Sequence, residues 1–424
     1  MHQTYYQASL ESNASPSYPS LENKQEVQVC IIGAGFAGLA TALGLLERGV
    51  HSVAILESET VGHGASGRNG GFVFGGFSLD NRELVKQLGK PKAKALYQLT
   101  LDAVQLISQR ITQYHIECDK NEEGVLLANW FDDDQLLLDQ QRMMQDEFDV
   151  EWDFISREDL QQRLLSKRYF GALHEKNAFH FHPLKYARGL ARAIEQKGGQ
   201  LYEHSRVTRI EDLGSLKCVH TNSGGRIQAQ HVVICCGGYI EGLVPRLSRA
   251  VLPIATYVMA TEALGARLQS AMRTGAAVYD TRFAFDYYRP LHDTRLLWGG
   301  RISIAERTPQ QVQALLYEDM LKVYPQLRDV KVEYAWSGLM SYGRHKMPQL
   351  GRLENGLWYG LGFGGHGVAP TTLAGEVLAQ AIAHDQALPP GFEHYGLPST
   401  FGSLGLLGAQ LTYWYYELRD YLKQ

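Results

Sequence analysis

An α/β fold of two lobes is predicted, one lobe on a parallel sheet and the other an α+β lobe on an antiparallel sheet. Three observations predict it. Residues 27–57 run as strand, glycine turn, helix and strand. Two further apolar runs that end in glycines return far down the chain, at residues 231–240 (HVVICCGGYI) and 357–368 (LWYGLGFGGHGV), so the first lobe is discontinuous. Between them, residues 276–303 carry aromatic and β-branched strand segments joined by a short turn.

Residues 27–32 (VQVCII) are apolar and rich in β-branched side chains, the pattern of a buried parallel strand. GAGFAG follows at once. Leu39, Leu43 and Leu46 then recur at helical spacing until Gly49 stops the helix. Residues 51–56 (HSVAIL) form a second strand that ends at Glu57. Each residue type in the turn has a physical task. Gly33 permits the tight turn, Gly35 lets the backbone approach a pyrophosphate, and Gly38 lets the helix pack on the strand. Phe36 and Ala37 open the helix, whose unpaired N–H groups and positive dipole end favour phosphate. Glu57, 24 residues after Gly33 and followed by Ser58, accepts ribose hydroxyls and disfavours a 2′-phosphate. The unit is Rossmann-like. By itself it does not separate FAD from NAD.

The next segment, SETVGHGASGRNGGFVFGG, makes that separation. Gly64, Ala65, Ser66, Arg68, Asn69, Gly70 and Gly71 lie in a loop that turns many N–H groups toward a ligand and lets the chain pass close to a flat ring. Arg68 adds a cation that can meet phosphate. An NAD dehydrogenase would normally continue into its next helix here. The plain alternative is a mobile surface loop, but Val61, Phe72, Val73 and Phe74 lie among the glycines as in a loop tucked into a core.

GAGFAG, Glu57 and GHGASGRNGG together resemble the D-amino-acid-oxidase-like superfamily of FAD enzymes, which includes glycine oxidase, sarcosine oxidase and gamma-glutamylputrescine oxidoreductase. SGRNGG, HPLKYARGLA, PQLGRL and GFGGHGVAPT look most like the last of these subgroups. The resemblance covers nearly the whole chain and implies FAD as cofactor. It also implies a role for Val207, at the end of a strand after HPLKYARGLARAIEQKGG, in contacting the adenine through its backbone. The strand and turn at HVVICCGGYI, with Gly237, are expected to close over the pyrophosphate. Cys235 and Cys236 read there as two small apolar residues, with a redox role as the alternative. At Gly364, Gly365, His366, Gly367 and Val368 a strand ends, and a helix is expected from near Thr371. Its positive end would face the flavin ring. His366 is either a functional residue or a histidine satisfied by carbonyls.

Residues 86–184 and 246–335 are expected to form the substrate domain. Residues 27–85, 185–245 and 336–385 form the FAD domain, residues 1–26 an irregular arm, and residues 386–424 a C-terminal helical segment. The turn LHDT joins two strands as a hairpin and suggests the antiparallel sheet. Alternation puts Phe285, Tyr287 and Arg289 on one face and Asp286 and Tyr288 on the other. Tyr288 or Arg289 is a candidate to hold a substrate carboxylate. Arg301 is another candidate, with a lobe-packing ion pair as the plain reading of either arginine. Tyr342, Arg344 and His345 lie where the family lines its substrate side.

The resemblance implies oxidation of an amine C–N bond, by hydride transfer to flavin N5 and hydrolysis of the imine, with O₂ or another acceptor reoxidising the flavin. A gamma-glutamylputrescine-like amine is the first expectation. A small amino acid (glycine, sarcosine or a D-amino acid) is the second, and a flavin-binding subunit without turnover is the non-enzymatic alternative. No cysteine follows Cys236, where relatives can attach flavin, so non-covalent FAD is expected. No metal site is expected. The net charge of −4 gives no basic footprint for nucleic acid. Five cysteines without a C-x-x-C pair fit a reducing, cytoplasmic setting. The chargeless run at residues 398–416 is expected to pack on the protein, with peripheral membrane contact as the lesser alternative.

Overall fold

The computed structural model describes residues 3–10 and 17–423. The first sheet grows from the predicted unit. Lys24–Ile32 pairs in parallel with Val53–Leu56 on one side and with Arg226–Ile234 on the other. The inner halves of these strands are buried on both faces, which a parallel sheet between helices requires. The order across the sheet is Gln349–Arg352, Trp358–Leu361, Arg226–Ile234, Lys24–Ile32, Val53–Leu56 and Gln200–Tyr202. Lys217–Thr221 pairs with Arg226–Ile234 and carries Val207–Asp212 beside it. The crossover helix Phe36–Glu47 lies against Val368–His384 at backbone contact: a Cβ on Gly375 would stand 2.5 Å from the Ala40 Cβ.

The second sheet runs Val332–Tyr342, Leu252–Thr261, Leu296–Ser303, Asp286–Pro290, Ala277–Asp280, Val125–Ala128, Ala172–Glu175 and Asp153–Ile155. Its pairs are antiparallel except Ala277–Asp280 with Val125–Ala128. The hairpin at LHDT is present, with Pro290 opposite Leu296. Helix Pro309–Val323, closed by a Thr308–Gln311 capping box, covers one face of this sheet. The α/β fold class and its α+β second lobe therefore stand as predicted.

Several expectations are corrected. The strand expected to end near Val207 ends at Tyr202, and Val207 opens the next one. The last Rossmann-lobe helix starts at Val368, not near Thr371. The domain boundary at 336 falls inside Val332–Tyr342, which pairs with Leu252–Thr261 along most of its length in the second sheet. The N-terminal arm is not wholly irregular. Tyr5–Ala8 is a short helix capped by Thr4, with Tyr5 and Tyr6 buried. At the other end, helix Ser403–Leu422 buries Gln410, Tyr413 and Asp420. Leu404, Leu407, Leu411, Trp414 and Leu418 remain exposed on its outer side. Among the described residues no helix is long and apolar enough to cross a membrane.

Candidate active site

The first glycine turn builds one end of the site. Gly33 has φ +106°, and a Cβ there would lie 2.8 Å from the Cys235 carbonyl oxygen. Only glycine satisfies both conditions. Gly38 stands behind the turn, where a Cβ would fall 1.9 Å from the Gly33 carbonyl oxygen, as its packing task predicts. The Ala34 N–H donates to Glu57 Oε2 at 2.8 Å, and the Glu59 N–H and Ser58 hydroxyl donate to Oε1 at 3.0 and 3.2 Å. Burial pushes the Glu57 carboxyl above the ordinary range and these donors pull it back. The helix Phe36–Glu47 has no side-chain cap at Gly35. The Phe36 N–H reaches Ser66 Oγ at 2.8 Å, which ties the second glycine loop to the helix start.

That second loop is not a mobile surface loop. Asn69 Nδ2 donates to the carbonyls of Ala65 and Ser66 at 3.0 and 2.8 Å, and its Oδ1 accepts from the Gly71 N–H at 2.8 Å. Arg68 Nε donates to the His63 carbonyl at 2.8 Å, and Trp336 Nε1 donates to the Arg68 carbonyl at 2.9 Å. The loop is thereby strapped to the second sheet. Arg68 acts as a strut as well as a cation lining the site.

One cavity of about 1530 Å³ runs from Glu57 between the two sheets to His366. Apart from Gly38, every residue assigned to the cofactor from the sequence lines it, as do His366, Tyr342 and Arg301. Tyr288 and Arg289 do not. Tyr288 points to the opposite face, where its ring stacks on Trp298 with centroids 4.3 Å apart. Arg289 shares the face of Tyr287, but its guanidinium is spent on the glycine loop. It donates to the Phe181 carbonyl at 2.8 Å, to the Gly70 carbonyl, to the Tyr6 hydroxyl at 3.2 Å and to His180 Nδ1 at 3.3 Å. The assignment of either residue to a substrate carboxylate is therefore corrected. Arg301 sits in a β-bulge at φ +55°, between Gly300 opposite Tyr257 and Ile302 opposite Thr256. The bulge aims its guanidinium at both oxygens of Asp319 (2.8 and 2.9 Å) and at Glu417, so the plain reading of an ion pair holds for it.

The far end of the cavity is aromatic. Phe74 meets His366 with centroids 4.0 Å apart and stacks on Tyr279 at 5.6 Å, and Phe285 and Tyr287 complete the wall. Ser78 accepts from the His366 N–H at 3.0 Å and donates to the Phe363 carbonyl at 3.1 Å, which stitches the two glycine segments together. Gly364 (φ +64°) lies so close to Ser78 that a Cβ would stand 2.3 Å from its hydroxyl. The helix Val368–His384 has no side-chain cap at Gly367, and Val368, Ala369 and Thr371 at its start line the cavity. Burial lowers the His366 pKa to about 4, against backbone hydrogen bonds to Phe74 and Gly75 that raise it, and Nε2 has no partner among the described residues.

Sequence reading missed Tyr239, Met340, Lys346 and Tyr413 as cavity residues. Tyr239 was legible in the GGYI turn, and Tyr287 was placed on one face with Phe285 and Arg289 without being chosen. The C-terminal helix gave no local signal of where it docks.

The residues present fit FAD on structural grounds. A carboxylate is held open at one end by backbone donors, glycines stand where a Cβ would collide, and two uncapped helix starts border one continuous space. Residues 28–381 match a family described as FAD dependent oxidoreductase, DAO. The chain is 34% identical over 432 residues to gamma-glutamylputrescine oxidoreductase of Escherichia coli, covering 99% of this chain and 98% of that protein. It is also 34% identical to a probable oxidoreductase, OrdL, of Haemophilus influenzae, over 96% of this chain and 95% of that one. Among solved structures, glycine oxidase from Geobacillus kaustophilus superposes with a TM-score of 0.73 at 20% identity, over 88% of this chain and 99% of that one.

Proposed function

The chain belongs to the FAD dependent oxidoreductase family DAO, and from that premise we propose that it oxidises the C–N bond of a gamma-glutamylputrescine-like amine. The observation that carries this reading is the continuity of the cavity: the nucleotide end at Glu57 opens without a wall into the aromatic chamber at His366. Bound in that cavity, FAD supplies the two-electron acceptor for the carbon that bears nitrogen.

The chain's own residues do the rest. Glu57 would orient the ribose of bound FAD, and the start of helix Phe36–Glu47 would hold its phosphate. The start of helix Val368–His384 favours negative charge at the ring end. Phe74, Tyr279, Phe285 and Tyr287 exclude water around the reacting carbon. His366 stays neutral, and its ring, packed on Phe74, forms part of the chamber wall. Product imine hydrolyses in water, and O₂ or another acceptor completes the turnover.

FAD is held without a covalent bond. Burial pushes the Cys235 thiol up to about 12 and raises the neighbouring Cys236 as well, so neither is a ready nucleophile. Acid-precipitated protein should leave its yellow colour in the supernatant. Five free cysteines among the described residues support a cytoplasmic setting.

Anaerobic mixing with a panel of amines tests the function. Gamma-glutamylputrescine should bleach the bound flavin faster than glycine, sarcosine or D-alanine. Faster bleaching by an amino acid would move the substrate to the small-amino-acid class. A spectrum unchanged by every amine would leave a flavin-binding protein without turnover.

A further inference from the structure

The cations that line the cavity divide into two groups. Arg206 is paired with Glu59 and Glu241, Arg282 with Asp280 and Asp286, and Arg301 with Asp319 and Glu417. Arg68 is bonded to backbone carbonyls. Arg344 and Lys346 differ: both line the cavity, and among the described residues no carboxylate meets either. Each lies instead over an aromatic face, Arg344 at 5.4 Å from the Phe401 ring and Lys346 at 5.9 Å from the Phe283 ring.

The turn that carries them is fixed. The Lys346 N–H donates to the Gly343 carbonyl at 3.0 Å, and His345 points the other way, taking the Met347 N–H at 3.1 Å and packing on Tyr395 at 4.9 Å. Lys346 holds φ +61°, a left-handed conformation that disfavours a residue with a Cβ. The opposite rim is equally set: Phe283 stacks on Tyr416 at 4.2 Å, and its N–H donates to Asp420 at 2.8 Å.

We propose that Arg344 and Lys346 form an anion subsite at the mouth of the chamber, which takes a carboxylate carried by the amine substrate at a distance from the carbon that is oxidised. This rests on the reading of the cavity as an amine oxidation site. Tyr342, two residues before Arg344, touches the Gly364–Gly365 turn at the ring end. Two residues of chain and a long side chain let the captured anion lie up to about 10 Å from that turn. An α-amino acid, with its carboxylate on the reacting carbon, does not span this distance. An ω-amine with several bonds between nitrogen and carboxylate does. Two exposed cations held beside ring faces at the cavity mouth suit such a group, because both are positioned to donate charge-assisted hydrogen bonds to it.

The test compares gamma-glutamylputrescine with its α-carboxamide, which differs only in that charge. In the unsubstituted holoenzyme, kcat/KM for the acid should exceed that for the amide by about 2–10-fold, the range of two solvent-exposed charge contacts. In the R344Q/K346Q double variant that ratio should fall toward one, through KM rather than kcat, and R344K/K346R should restore most of it. An unchanged ratio in the double variant, with flavin occupancy intact, overturns the subsite. Should no amine reduce the flavin, the amine reading fails, and glutarate then judges the subsite alone. Glutarate should perturb the bound-flavin spectrum of the parent protein and not that of R344Q/K346Q. No perturbation, or an equal one in both, overturns the subsite.

Discussion

Arg289 is only 2% exposed, yet it meets four partners, three of them in the glycine loop that borders the cavity or in its support. Arg289→Met would leave the Gly70 and Phe181 carbonyls without their donor. The expected loss is about 3 kcal/mol or more of stability together with lowered flavin occupancy, read by thermal melting and by the absorbance ratio of the purified protein. A normal melting point with a raised amine KM would instead return Arg289 to the substrate. The same contact fixes the chemistry of His180. Arginine only donates, so Nδ1 must accept, and Nε2–H donates to the Gly275 carbonyl at 2.7 Å. Protonating Nδ1 would set two donors against each other. Burial and Arg289 lower His180 to about 3, as burial lowers His366 to about 4. The unfolded chain protonates these rings near pH 6.5. Between that value and the folded ones the unfolded state binds more protons, so stability falls as pH falls from about 6.5 and levels off only below both folded values. A melting temperature that declines less steeply from pH 7 to 4.5 in H180N than in the parent protein would assign part of the slope to His180. Equal slopes would remove it.

The C-terminal helix Ser403–Leu422 shows how an element far along the chain completes a site begun at the other end. Gly405, Gly408 and Ala409 are small enough to let its backbone edge the cavity, and Gln410 and Tyr413 face inward. Its last turn is held by one carboxylate: Asp420 Oδ2 takes the N–H groups of Phe283 and Ala284 at 2.8 and 3.2 Å. Those two residues sit in the turn between Ala277–Asp280 and Asp286–Pro290. That turn exists because Arg282 clamps both Asp280 and Asp286. Sequence patterning read AAVYDTRFAFDYYRP as strand and missed the clamp, since an arginine between two aspartates has no periodicity. Similarly, VKQLGKPKAKALYQ read as one helical stretch and breaks at Gly89, φ +76°, into Asn81–Leu88 and Lys90–Gln113. Asp420→Ala should uncover two buried N–H groups, each costing about 1–3 kcal/mol. The helix should then loosen before the rest unfolds. Limited proteolysis would show this as early cutting within 403–424 while the yellow colour remains. Cutting at the parent rate would mean that Glu417 and Gln410 suffice.

At the scale of the molecule, legibility follows the range of the interactions. The Glu57 end of the cavity was readable because Gly33, Gly35, Gly38 and Glu57 lie within one local unit whose spacing is set by strand and helix geometry. The chamber was not, because its walls come from Phe74, Tyr287, Met340 and Tyr413, residues brought together by pairings across most of the chain. Alternation put Tyr287 and Tyr288 on opposite faces correctly, but which face met the cavity depended on helix Pro309–Val323 covering the other. This division also sets what the cofactor does to stability. The cavity is lined from both lobes, by Thr256, Gly300 and Gly338 of the second sheet and by Gly35, Glu57 and Ser66 in the turns of the first lobe. A ligand that touches both sides of this cavity binds the assembled pair of lobes more tightly than either lobe alone. Free FAD at a thousand times its Kd should therefore stabilise the protein by about 4 kcal/mol. The gain should appear in both sheets together when hydrogen exchange is followed in Val29–Ile32 and in Val258–Ala260 of the flavin-free and reloaded protein. Protection that rises in the first sheet alone would show that the second lobe folds and holds its place without the cofactor.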